Sequence, residues 1–173
     1  LIEYQPQTVD FIRSYNPVPA AAPGSIERAA ELINQSVKPL MLVGQGVELA
    51  GAREELLALA EKAQIPFGQT MLGLSAAPTS HPLNMGMLGM HGNLAPNVMT
   101  NQCDLLIAVG MRFDDRVTGD LHTYAKQAKV IHFEIDPSEV GKIVKPTVAV
   151  LGDCKQTLAQ VTELVQETKH QAW

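Results

Sequence analysis

Arg112, Asp114, Asp115 and Arg116 fall within five positions, directly after the unbroken apolar run Leu105-Leu106-Ile107-Ala108-Val109 and Gly110. Two guanidinium groups four residues apart suit phosphate oxygens, because their planar forks pair bidentately with them. The same residues also read as a solvated turn in which Asp and Arg neutralise one another, an arrangement that contributes little to stability. Gly44-Gln45-Gly46 is a second candidate, placed after the apolar stretch Pro39 to Val43. Glycines at a strand-to-helix turn let a nucleotide diphosphate approach the backbone, but the full fingerprint asks for another glycine three places on. Leu49 stands there, with Gly51 two residues late. A tight turn without ligand fits the same residues. Glu134 closes another apolar stretch about two dozen positions after Gly110, the spacing of a ribose-binding carboxylate in dinucleotide sites. Asp136, before Pro137, reads as a turn or cap. The string Met85 to Gly92 combines three methionines, soft enough to follow a flat apolar ligand, with glycines that permit close backbone approach. Ordinary gap-filling by methionine is the alternative. His91 has no partner carboxylate or histidine at ligand spacing, so no metal site is expected.

These groups need elements to hold them. Ile26, Ala29, Ala30 and Ile33 recur at helical spacing behind Ser25, a candidate N-cap, and predict a helix to about Ser36. Pro39–Val43 reads as a strand, Ala52 to Ala63 as a helix, and Ile65–Thr70 as a second strand. The glycine- and proline-rich stretch from Gly73 to Pro96 reads as a long loop, a length that usually accompanies binding. A helix over Leu94–Gln102 leads into the strand at Leu105. Val117 to Gln127 reads as irregular or briefly helical, Lys129–Ile135 and Thr147–Leu151 as strands, and Cys154 to Val165 as a helix capped by Asp153. His132 reads as a packed histidine rather than a ligand. Alternation of strands and helices predicts a three-layer α/β/α Rossmann-like fold with a parallel sheet of about six strands and helices on both faces. Residues 1–23, carrying four prolines, read as an interdomain linker, and 24–173 as one domain cut from a longer protein.

The 173 residues are 46% hydrophobic and 18% charged, enough for one core. A net charge of -5 disfavours nucleic acid or an anionic membrane as partner. Basic residues must therefore act singly, within a site. Cys103 and Cys154 lack metal-type spacing and read as buried thiols in a reducing compartment. No window approaches the ~18 apolar residues of a membrane span.

With these strings in place, the chain closely resembles the central domain of the acetohydroxyacid (acetolactate) synthase catalytic subunits, within the thiamine-diphosphate enzyme superfamily. The carrying motifs are Arg13-Ser14-Tyr15-Asn16-Pro17, Met87-Leu88-Gly89-Met90-His91-Gly92, Cys103 to Gly110, Arg112-Phe113-Asp114-Asp115-Arg116-Val117-Thr118-Gly119 and Glu134-Ile135-Asp136-Pro137. The resemblance implies FAD bound in an extended pose across the domain. Gly44, Gln45 and Gly46 would meet it in the first turn, Thr70 and Met71 at the end of the second strand, and Leu88, Gly89, Met90 and His91 along its ribityl and flavin part. Gly110, Met111, Arg112, Asp114, Arg116 and Val117 would form the main loop, Glu134 and Ile135 the adenosine-ribose end, and Gly152 and Asp153 the last contribution. Gln45 and Met111 depart from the small residues frequent in the family.

The resemblance further implies condensation of two 2-ketoacids on thiamine diphosphate and Mg2+, both bound by other domains, with the flavin structural rather than redox-active. It implies no catalytic residue in this piece, a homodimer or tetramer of catalytic subunits, a separate regulatory subunit and a cytoplasmic setting. Two alternatives of related fold are a nicotinamide- or ADP-binding module and a ligand-free scaffold domain.

Overall fold

The computed structural model describes residues 18–170 and Trp173, so most of the expected linker, including the Arg13–Pro17 motif, lies outside the described residues. The helical spacing after Gly24 forms α1 (Ser25–Gln35), which buries Ala29, Ala30 and Ile33. Ser25 is not the cap. Gly24 occupies that position, and the Ser25 hydroxyl donates backward to the Ala22 carbonyl at 2.7 Å. Then follow β1 (Pro39–Val43), α2 (Gln45–Leu49), α3 (Arg53–Ala63), β2 (Phe67–Gln69) and a single 3-10 turn at Met71–Gly73. The chain continues through β3 (Asn84–Met87), α4 (Leu94–Thr100), β4 (Leu105–Val109), α5 (Asp115–Thr118), β5 (Lys129–Glu134), β6 (Val148–Leu151) and α6 (Cys154–Leu164).

The excursion after Gly73 is not all loop. Its Asn84–Met87 portion adds an edge strand to β2, with a register irregularity between Phe67 and Gln69. Asn-Met-Gly-Met carries none of the β-branched residues that announce a strand, so its pairing comes from the neighbouring edge. The Asn84 amide donates to Gln69 Oε1 at 2.8 Å and to the Pro78 carbonyl at 3.0 Å, tying the strand in through side chains.

All pairings are parallel, in the order β3-β2-β1-β4-β5-β6. Strands buried on both faces need apolar residues at every position, and β1 and β4 are buried throughout. Met41, Val43, Ile107, Val109, Ile131 and Phe133 pack against α1, α3 and α6 on one face. Leu40, Leu42, Leu106, Ala108 and Val130 form the other core with Leu88, Cys103, Met111 and Phe113. That second face is covered by the short α4 and by the chain between Met111 and Ala128, irregular except for the four residues of α5, so its packing rests on single side chains such as Phe113 and Tyr124. The two cysteines are free and buried in different cores, Cys103 in the second and Cys154 in the first.

From β1 the chain winds outward to β2 and β3, then crosses back to β4 and winds the other way. Such a reversal leaves a crevice at the carboxyl ends of the two central strands, here β1 and β4. Glycines make this junction. Gly44 N donates to the Val109 carbonyl and Gly46 N to the Gly110 carbonyl, both at 2.9 Å. Gly110 adopts φ 56°, a left-handed conformation that side chains disfavour. A Cβ on Gly46 would stand 2.7 Å from the Gly110 Cα, and one on Gly110 would stand 2.8 Å from the Gly46 Cα.

Gly46 lies inside α2, where helix propensity alone favours alanine by about 1 kcal/mol. The backbone clash should outweigh that gain. Gly46→Ala is expected to destabilise the domain by about 1–3 kcal/mol in urea unfolding, the usual range for overpacking against groups that cannot move. A neutral or stabilised variant would show that the two turns separate readily.

Candidate functional site: a cleft at the strand-order reversal

A cleft of about 650 Å³ opens at this junction. It runs across the carboxyl ends of successive strands, so its walls come from short segments far apart in sequence. At one end are the α2 turn with Leu49 and Ala50, and Thr70, Met71 and Leu72 after β2. The middle is formed by Gly44, Gln45 and Gly46 together with Gly110, Met111, Arg112, Asp114, Arg116 and Val117. Glu134 and Ile135 after β5, and Asp153 and Cys154 at the start of α6, close the other end. Leu49, Met71, Leu72 and Ile135 are all largely exposed, which gives the rim an apolar character unusual for free surface.

The carboxylates of this cleft are mostly committed to their own backbone. Asp114 caps α5 by accepting from Arg116 N at 3.1 Å. That bond, followed by the Asp115 side chain and the nearby Arg112 and Arg116 charges, holds its carboxyl below the ordinary range. Asp153 caps α6 as the sequence predicts, its Oδ1 accepting from Lys155 N at 2.9 Å and Gln156 N at 3.3 Å. Glu134 is 7% exposed, and its Oε1 accepts from Ile135 N at 2.8 Å and Asp136 N at 3.1 Å. Burial alone would raise its pKa. The His132 imidazole and the two backbone donors more than offset this, so Glu134 titrates below the usual carboxylate range and is ionised at neutral pH.

The cations are freer. Arg116 Nε stands 3.6 Å from Asp115 Oδ1 with both side chains well exposed, a weak pairing. Arg112 is exposed and has no ion pair among the described residues. The backbone at the glycine turn is not free in the same way, because Gly44 N and Gly46 N already donate into the β4 loop. An anion entering this cleft would therefore meet the guanidinium groups of Arg112 and Arg116, with the Gly44 and Gly46 amides already taken. The Cys154 thiol is pushed up to about 12, first by burial and then by the Glu134 and Asp153 charges, so it is a packing group and not a nucleophile.

Not every expected residue reaches the cleft. Leu88 is buried in the second core, and Gly89 packs on the backbone of the charged loop, where its Cβ would stand 2.7 Å from the Arg116 carbonyl oxygen. Met90 N donates to that same oxygen at 2.8 Å, while the Met90 and His91 side chains are exposed. This segment braces the loop from behind and does not line the cleft. Gly152 does not line the cleft but a separate cavity, facing Thr157 and the Pro19 carbonyl. Conversely, Leu49, Ala50, Leu72 and Cys154 line the cleft without being singled out in the sequence. In the sequence Leu49 stands out only as the residue in place of the fingerprint's further glycine. Asn97 also escaped notice: its side chain pairs with both the N–H and the carbonyl of Gly89, at 2.8 and 2.9 Å.

The relatives agree with this architecture. Residues 26–161 match the family model described as the thiamine pyrophosphate enzyme central domain. Curated relatives include a probable acetolactate synthase large subunit of Methanocaldococcus jannaschii, 47% identical over 88% of this chain and 26% of that protein. The acetolactate synthase large subunit of Corynebacterium glutamicum is 45% identical over 95% of this chain and 26% of its own length. The isozyme 3 large subunit of Escherichia coli is 39% identical over 96% and 29% respectively. The chain thus spans only about a quarter of the relatives it matches. A solved structure of a putative thiamin diphosphate-dependent enzyme from Mycobacterium smegmatis superimposes with a TM-score of 0.74 at 24% identity, covering 92% of this chain and 31% of that one, and so shares the fold. The switch-point sheet, the family match across residues 26–161 and these relatives lead to one conclusion: the chain belongs to the thiamine pyrophosphate enzyme central-domain family.

Proposed function

We propose that this chain is the FAD-binding central domain of an acetolactate synthase large subunit. The observation that carries the proposal is that Arg112 and Glu134 share one cleft with the glycine turn and an apolar rim. The shape suits a long ligand with a charged middle and an apolar end. Arg112, supported by Arg116, would neutralise the diphosphate, since the Gly44 and Gly46 amides are already used. The second Glu134 oxygen and Ile135 would meet the adenosine end, while Met71, Leu72 and Leu49 offer area to the flat ring system. In this reading the flavin supplies no net redox chemistry and acts as a structural strut.

Residues 1–23 would connect to a preceding domain, and 24–173 would form the flavin domain. The whole enzyme would join two pyruvates, or pyruvate and 2-ketobutyrate, on thiamine diphosphate and Mg2+ bound by the flanking domains. That feeds isoleucine and valine synthesis. Such an enzyme would work in the cytoplasm as a homodimer or tetramer of catalytic subunits with a separate regulatory subunit. Among the described residues no helix is long and apolar enough to cross a membrane.

A nicotinamide- or ADP-binding module is the second reading, favoured by the buried carboxylate of Glu134 at a strand end. Against it stands the apolar surface beyond β2, which an ADP moiety would leave uncovered. The purified full-length protein is expected to be yellow and to release FAD on denaturation. A colourless protein that binds ADP or NAD would support the module instead. Arg112→Ala should weaken FAD binding about tenfold to a hundredfold, from the loss of a charge-assisted hydrogen bond worth ~1.5–3 kcal/mol, as read by flavin titration. Unchanged affinity would remove Arg112 from the site. The 173-residue piece alone should form no acetolactate from pyruvate with thiamine diphosphate and Mg2+ added, since no residue here is assigned to that chemistry.

A further inference from the structure

His132 is fully buried in the middle of β5, on the face opposite α6, and no role in ligand contact falls to it. Its neighbours in register are Ala108 on β4 and Ala149 on β6, two small residues that leave room for an imidazole where the sheet otherwise carries aliphatic side chains. The ring of Phe113 stands edge-on to it at 5.1 Å between centroids and 67° between planes. Its Nε2 lies 2.9 Å from the Met111 carbonyl oxygen, which can only accept, so Nε2 carries a proton and donates. The same Nε2 is 3.6 Å from Glu134 Oε2. Nδ1 is buried with no hydrogen-bond partner among the described residues.

A buried polar side chain with one nitrogen unpaired costs stability, and an aliphatic residue would pack this sheet position at no such cost. What the imidazole supplies in return is a fixed distance between two cleft walls. Met111 belongs to the loop that carries Arg112, and Glu134 ends the next strand; both line the cleft, and His132 is the side chain that addresses both. Beyond Gly110 N, which donates to the Phe133 carbonyl, the loop has left the sheet ladder, so the Met111 carbonyl has no strand partner to hold it.

We propose that His132 is a positioning residue: by donating to the Met111 carbonyl beside Glu134, it fixes the Arg112 loop against the end of β5 and so sets the spacing between the cationic and anionic walls of the cleft. The proposal rests on the reading of this cleft as the ligand site, but its structural half can be tested with no ligand present. His132→Phe keeps an aromatic ring against Phe113 and removes the donor. His132→Gln places an amide N–H near the Nε2 position and should restore it.

In the full-length enzyme without added ligand, amide exchange by mass spectrometry should be about tenfold faster across residues 110–116 in His132→Phe than in the wild type, with β1 and β4 unchanged, from loss of one hydrogen bond. His132→Gln should return to the wild-type rate. Where the phenyl ring is not tolerated, His132→Asn, whose amide stops at the Nδ1 position, replaces it with the same expectation. FAD affinity should follow the same order, falling about tenfold in the donor-less variant and recovering in His132→Gln. Unchanged exchange at 110–116 in the donor-less variant, or a glutamine variant no better than it, overturns the positioning role. If the loop responds as expected while the wild-type enzyme takes up no flavin, the flavin reading fails and the role of His132 stands.

Discussion

The structure depends on a contact between two stretches of bare backbone. At the carboxyl ends of β1 and β4, Gly44 and Gly46 lie against Gly110 so closely that no side chain fits between them. This is where the strand order reverses, and a parallel sheet necessarily parts its connections there. Because the turns touch, the floor of the cleft is narrow and made of main chain. Everything with chemical character is held around that floor, on loops that leave adjacent strands within a few ångströms of one another. The hydrogen bonds Gly46 N to Gly110 O and Gly44 N to Val109 O make the floor part of the sheet rather than a flexible lip.

One consequence is electrostatic. The Gly44 and Gly46 amides of the glycine-rich turn are already paired here, and the carboxylates Asp114 and Asp153 are held by helix starts. Negative charge is thereby fixed in place, while Arg112 and Arg116 keep their guanidinium groups in solvent. The cleft is pre-organised in its acidic and apolar parts and adaptable in its basic part. Long basic side chains can settle on a ligand at the moment it arrives, at some cost in rotamer freedom.

The second face of the sheet supports the same loop from below. Helices α1, α3 and α6 cover the first face as a continuous layer, whereas the other is roofed by α4 and irregular chain. On that side the loop after β4 is held by discrete polar contacts, His132 to the Met111 carbonyl and Met90 N to the Arg116 carbonyl, while Asn97 pins the neighbouring Gly89. The methionine- and glycine-rich string thus connects to the cleft through the back of the charged loop. A change in α4 could reach the cleft along this path without any contact to what the cleft holds.

Much of this was legible from residue order. The runs Pro39–Val43 and Leu105–Val109 are apolar at every position, which only a strand buried on both faces tolerates, and so they announced a parallel sheet. Helical spacing in Ala52 to Ala63 and Cys154 to Val165 set the flanking layer, and Asp153 marked the start of its helix. The charged loop, the glycine turn and Glu134 stood out because each ends an apolar run. Sequence could not tell which of these ends meet, since neighbours in a parallel sheet are separated by long crossovers. Only the tertiary structure brought Leu49, Leu72 and Cys154 to the same cleft and turned Leu88 and Gly152 away. Strand β3 lacked a local signal because an edge strand takes its geometry from its partner, and His132 read as mere packing because its acceptor lies 21 residues away in sequence. Local chemistry determined the elements and their termini; the reversal of strand order, a property of the whole sheet, decided which termini became one site.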